Sequence, residues 1–158
     1  MDTTSLCEHL ANALMARGWM MATAESCTGG MIASRCTDLS GSSNWFERGF
    51  VTYSNAAKSE LIGVPATLIE QHGAVSEPVA RAMARGALAH AHAQVSVAVT
   101  GIAGPSGGSP DKPVGTVWFA WCVGDHLSSE MQVFAGDRQA VREATVHHAL
   151  QGLIQRLA

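Results

Sequence analysis

Hydrophobic positions change their period several times along the chain, and each change marks an element. In residues 4–17, Leu6, Leu10, Ala13 and Leu14 share one helical face, and Gly18 is a natural stop. Residues 19–24 are a short apolar run that predicts a buried strand. Residues 30–37 predict a second helix, and Asp38 to Asn44 form a polar, serine-rich connection. Phe46 to Tyr53 alternates with aromatic and β-branched residues, as a strand does. Ser54-Asn55 caps a short helix over 55–62 that ends at Gly63. Ser76-Glu77-Pro78 combines a cap, an acid and an early proline, and starts a helix running to about His92. Gln94 to Thr100 reads as a strand, and Gly101 to Pro113 as a Gly/Pro loop. Val114 to Val123 and Leu127 to Phe134 read as a hairpin around Gly124-Asp125. Asp137 caps a last helix whose buried stripe is Val146, Leu150, Leu153 and Leu157.

Helices and strands alternate at first and end with a hairpin. The expected fold is α/β, a single three-layer α/β/α sandwich with a mixed β-sheet, and residues 1–158 form one domain. Composition supports a packed core, with 47% hydrophobic and 15% charged residues. The net charge of −3 comes without a basic block, so no nucleic-acid footprint is present. No apolar run approaches the roughly 20 residues of a membrane span. Asp2, Glu8 and His9 interrupt any secretory pattern, so a cytoplasmic protein is expected. Cys7, Cys27, Cys36 and Cys122 form no CxxC pair. The pairs His90/His92 and His147/His148 do not share a helix face. A metal site is therefore not expected, and no cofactor is indicated.

Candidate chemistry gathers on Ala22 to Gly30, ATAESCTGG, where a predicted strand runs into a helix start. A small hydroxyl residue there sits where unpaired helix N–H groups collect. Such a place holds either an anion or a nucleophile beside an oxyanion hole. Ser26 is thus a nucleophile or a plain helix cap. Cys27 competes as a nucleophile, but no histidine lies nearby in sequence to pair with it. Glu25 reads as a carboxylate bonded to loop N–H groups. Lysine is scarce: only Lys58 and Lys112 occur, against eight arginines. Lys58 follows the only tyrosine, Tyr53, by five residues and sits in the first turn of a predicted helix. A positive charge there is disfavoured, which helps lower its pKa. A solvated helix lysine is the plainer reading on spacing alone. Thr100 to Pro105, TGIAGP, places glycines at a strand end, where backbone can approach a ligand. The Ser109–Lys112 SxxK match sits in a loop with no KTG after it, and is discounted. Arg138 and Arg142 share a helix face and read as solvated, with a phosphate clamp as the alternative.

Several long stretches occur together and in order: ATAESCTGG, GSSNWFERGFVTYSNAAKSELIGV, HGAVSEPVA, TGIAGPSGGSPDKPVGTVWFAW and GDRQAVREAT. With them the chain resembles, from about residue 5 to 157, the C-terminal domain of the CinA competence/damage-inducible proteins. That family includes stand-alone nicotinamide-nucleotide amidohydrolases. The resemblance implies deamidation of nicotinamide mononucleotide to nicotinate mononucleotide and ammonia. It implies an α/β fold, no metal, a small-molecule nucleotide substrate and a homodimer. It carries roles onto Ser26, Tyr53, Lys58, Thr100 and Ser43. The mechanism expected from it has Lys58, helped by Tyr53, activating Ser26. N–H groups at Cys27, Thr28, Gly29 and Gly30, with Thr100, would hold the oxyanion. Candidates for the substrate phosphate are Ser42 and Ser43, the loop opening at Gly101, and Arg48 or Arg142. Two other functions stay open: a non-catalytic nucleotide-binding or regulatory module, and a broader small-amide acyl hydrolase.

Overall fold

The computed structural model describes residues 1–158. Helix α1, Thr3–Arg17, starts where the Asp2 carboxylate accepts from Ser5 N–H, and stops at Gly18 in the left-handed region. Strand β1 is Met21–Glu25, helix α2 Met31–Thr37, and a 3-10 turn at Ser42–Asn44 precedes β2, Phe46–Val51. Three helices follow: α3, Asn55–Ile62; α4, Ala66–His72; and α5, Glu77–Ala89. Strands β3, Val95–Gly101, β4, Thr116–Val123, and β5, His126–Val133, lead to α6, Arg138–Leu157. No helix is long and apolar enough to cross a membrane.

The five strands form one mixed sheet in the order β2-β1-β3-β4-β5. β1 is parallel to both β2 and β3, while β4 is antiparallel to β3 and to β5. Each face of the sheet carries its own core. On one face Met21, Val97, Phe119 and Trp121 meet Leu10 of α1, Ile32 of α2 and Leu150 of α6. On the other, Ala24, Ala98 and Ala120 leave shallow ground on which α5 lies with Val79, Ala80 and Met83. Small side chains there let the helix approach closely, as interior packing requires.

This topology places a crevice. From β1 the chain crosses through α2 on one face of the sheet to β2. It then returns through α5 on the opposite face to β3. The connections diverge at the carboxyl ends of β1 and β3, and open α/β sheets bind ligands at such a point. Ser26 is the first residue beyond β1.

The predicted elements are present, with shifted ends and one addition. Trp19 and Met20 lie outside β1, because Trp19 N–H still bonds to Leu14 O as α1 closes. β2 ends at Val51, because Thr52 N–H bonds across to Glu25 O and the chain then turns into α3. α5 stops at Ala89. The added element is α4, which has no side-chain cap and only one buried residue, Ile69. It therefore carries neither a cap signal nor an apolar stripe.

Gly86 of α5 packs against the backbone of α3, and a Cβ there would run into the Ile62 carbonyl oxygen. Gly86→Ala is expected to destabilise the chain by about 2–3 kcal/mol through overpacking. A lowered midpoint in urea unfolding checks this; an unchanged midpoint would show that α3 and α5 separate freely.

Candidate active site

Ser26 N–H donates to Val99 O at 3.1 Å, which carries the β1–β3 pairing one residue past the strand. The chain then turns sharply: Gly29 N–H donates to Ser26 O at 3.0 Å. Gly29 and Gly30 have φ of +57° and +103°, which only glycine adopts without strain. Glu25, 1% exposed, bends back over this turn. Its carboxylate accepts from Thr28 Oγ1 at 2.6 Å, Ile32 N–H at 2.8 Å and Ala33 N–H at 3.1 Å. From the other side Arg142 donates through Nε and Nη2 to the carbonyls of Cys27 and Thr28, each at 3.1 Å. Glu25 and Arg142 thus brace the turn that presents Ser26.

Lys58 comes to Ser26 from the other strand end. Ser54 Oγ accepts from Ala57 N–H and starts α3, and Lys58, one turn in, is 1% exposed. Its Nζ lies 3.2 Å from Ser26 Oγ, 3.0 Å from Thr52 O and 3.3 Å from Tyr53 O. None of the chain's ion pairs includes it. Burial holds its pKa below the ordinary lysine value of 10.5. A neutral amine has two hydrogens and one lone pair. In that neutral form the two carbonyls, which can only accept, would take both hydrogens and leave the lone pair for the Ser26 hydroxyl.

Ser26, Cys27 and Lys58 open into a cleft of about 200 Å³ that Tyr53, Thr100 and Gly101 also line. Cys27 is 6% exposed, and burial pushes its thiol up to about 12, so it stays protonated at neutral pH. Thr100 Oγ1 donates to Ala74 O at 2.9 Å. Its one hydroxyl hydrogen is therefore committed to the cleft wall and is withheld from an oxyanion. A Cβ on Gly101 would collide with Val117 and crowd Cys27 Sγ, so this glycine serves close packing.

Other expected residues lie elsewhere. Gly29 and Gly30 form the turn behind Ser26, and the Thr28 side chain is turned back to Glu25. Their helix end, at Ile32 and Ala33, is filled by Glu25 and holds no other anion. Ser42 and Ser43 precede β2, at the opposite end of the parallel strands from Ser26, and do not reach the cleft. Arg48 is turned to Glu47 and to His90 O. Arg142 supports the turn from behind and is also absent from the cleft lining. Sequence reading missed Asn55, Ala74, Val75 and Ala103, and favoured a solvated face for Arg138, yet all five line the cleft. Asn55 could have been found from its place beside Lys58; Ala74 and Val75 depend on α4.

The molecule is thus an α/β sandwich with a serine hydroxyl held against a buried lysine at the switch point of its sheet. The family model described as the CinA C-terminal domain matches residues 3–157, and the chain belongs to that family. It is 55% identical over 157 residues to the nicotinamide-nucleotide amidohydrolase PncC of Escherichia coli strain K12, covering 98% of this chain and 94% of that protein. It is 55% identical to the protein of the same name from Pseudomonas putida, covering 96% and 95%. The crystal structure of competence damage-inducible protein A from Klebsiella pneumoniae superposes with a TM-score of 0.96 at 40% identity, covering 99% and 98%.

Glu25→Ala removes the acceptor for two helix N–H groups and for the Thr28 hydroxyl. We expect a loss of about 1–3 kcal/mol, because those donors stay buried. Chemical denaturation checks this, and a wild-type unfolding curve would show that water replaces the carboxylate.

Proposed function

We propose that this chain hydrolyses the carboxamide of nicotinamide mononucleotide, giving nicotinate mononucleotide and ammonia. The relatives named above support the substrate. The observation that carries the chemistry is Lys58 Nζ, buried without a carboxylate, 3.2 Å from Ser26 Oγ. Neutral Lys58 takes the Ser26 proton as Oγ attacks the carboxamide carbon. The N–H groups of Cys27 and Thr28, which have no acceptor elsewhere in the chain, hold the oxyanion. Gly29 N–H is excluded from that role by its bond to Ser26 O. Protonated Lys58 returns its proton to the leaving nitrogen, the C–N bond breaks, and ammonia departs. Water then attacks the acyl-serine as Lys58 again accepts a proton, the carbon–Oγ bond breaks with that proton passing from Lys58 to Ser26 Oγ, and nicotinate mononucleotide leaves. Tyr53, at the cleft mouth, supplies its backbone carbonyl to Lys58 and its hydroxyl to the approach.

The deciding experiment measures ammonia release from nicotinamide mononucleotide. Wild type is expected to turn over, and Ser26→Ala to lose at least about 1000-fold in kcat. Lys58→Ala should fall about as far, and Lys58→Arg should also be inactive, because guanidinium cannot accept a proton. An active arginine variant would reduce Lys58 to an electrostatic role. No ammonia from the wild type would leave the non-catalytic nucleotide-binding function.

The pH dependence follows from the direction of the Lys58 shift. Only neutral lysine can accept the proton, so kcat/KM should rise with pH through the Lys58 pKa. Burial places that limb below 10.5, the ordinary lysine value. A pH–rate profile with its limb at or above the ordinary value would contradict the assignment.

A further inference from the structure

A cleft that takes a nucleotide needs a cation for the phosphate, away from the reacting carbon. The chain offers eight arginines and two lysines. Lys58 faces Ser26, and Arg142 is spent on the carbonyls of Cys27 and Thr28. Arg35, Arg48 and Arg156 each pair with a glutamate. Lys112 Nζ donates to His72 O. The nearest helix N-terminus, that of α2, is filled by the Glu25 carboxylate.

Arg138 differs from all of these. It lines the same cleft as Ser26, and both of its contacts are neutral. Nη1 donates to Gly104 O at 2.9 Å and Nη2 to the Tyr53 hydroxyl oxygen at 3.2 Å. These bonds fix the guanidinium at the rim without neutralising it, and no carboxylate is paired with it. Arg138 is also the first residue of the 20-residue α6, where the helix dipole adds to the positive potential. The adjacent Asp137 carboxylate is turned away to cap Ala140 N–H at 2.9 Å.

We propose that Arg138 is the specificity-determining residue that binds the phosphomonoester of the substrate. This rests on the amidohydrolase reading above for the identity of the nucleotide. A guanidinium grips two phosphate oxygens through either of two forks, and both include Nη2. Nη2 is the nitrogen now holding Tyr53, so a bound phosphate registers at that phenol. The chain has one tyrosine, which makes the phenol a reporter free of overlap.

The test compares nicotinamide mononucleotide with nicotinamide riboside, which lacks the phosphate. Calorimetric titration uses Ser26→Ala protein with and without Arg138→Ala. Loss of Arg138 should weaken the mononucleotide about 100-fold and the riboside less than about threefold, as expected for one charge-assisted bidentate contact. Arg138→Lys should fall between. In the Ser26-intact chain the same substitution should raise KM for the mononucleotide and leave kcat nearly unchanged. Inorganic phosphate should shift the single 13Cζ-tyrosine resonance of the wild type and leave that of Arg138→Ala in place. Equal weakening of both ligands, no weakening of either, an unmoved tyrosine signal, or no binding of the mononucleotide would each overturn the proposal. If Arg138→Ala does not fold, Arg138→Lys and Arg138→Gln carry the same comparison. Failure of the amidohydrolase reading looks different: Arg138-dependent binding would persist with no ammonia released.

Discussion

Everything at this site depends on a lysine kept out of water without a counter-ion. An ammonium buried alone is costly, and the usual remedy is a carboxylate partner or loss of the proton. Here the partners are two backbone carbonyls and one hydroxyl, none of them charged. The fold supplies them through one crossing contact. Thr52 N–H bonds to Glu25 O at 2.8 Å, so the ends of β2 and β1 lie side by side. Residues 52–53 leave one strand end and Ser26 leaves the other. Lys58, one turn into α3, folds back to meet both. A carboxylate beside Nζ would stabilise the charged form, against the role proposed for Lys58.

The two helices at the cleft show how differently a helix N-terminus can be used. That of α2 is closed internally by Glu25, which turns the strand–helix junction into a rigid elbow. That of α6 is capped by Asp137 but carries Arg138 on its first turn, facing outward to the cleft. The question raised by ATAESCTGG, anion site or nucleophile, is thereby narrowed by geometry. An anion cannot share Ile32 and Ala33 N–H with a buried carboxylate. What the turn still offers is the pair of N–H groups at Cys27 and Thr28, suited to a charge that exists only during reaction.

Much of this was legible in the sequence, and the failures have physical causes. α3 was bounded correctly because Ser54 and Gly63 are strong local signals, and Lys58 and Ser26 stood out by scarcity and position. α4 was invisible because a seven-residue helix with a single buried side chain has no period to detect. With it went the wall formed by Ala74 and Val75. Arg138 and Arg142 look equivalent at i and i+4, yet one faces the cleft and the other the back of the Ser26 turn. Their difference lies in what α6 packs against, which no spacing encodes. Ser42 and Ser43, offered by the sequence as phosphate ligands, lie at the other end of the strands from Ser26. In parallel strands, residues before β2 lie opposite those after it, and only the residues after it can meet Ser26.

Cys27 tests whether environment or intrinsic acidity selects the nucleophile. In water a thiol ionises far more readily than a hydroxyl, so a thiol next to Ser26 ought to win. The structure reverses the order through burial. Cys27 packs beside Gly101 and joins the apolar core, which pushes its thiol up to about 12, while the same desolvation pulls Lys58 down. Moving a proton from Cys27 to Lys58 would create two charges where neither is solvated. Ser26 needs no such separated pair. Its hydroxyl touches the amine directly, so in the proposed reaction the proton would move as the carbon–oxygen bond forms and the new charge would pass to the carboxamide oxygen. On the proposed mechanism, contact with the base, and not the ease of ionisation in water, selects Ser26 as the nucleophile at this elbow.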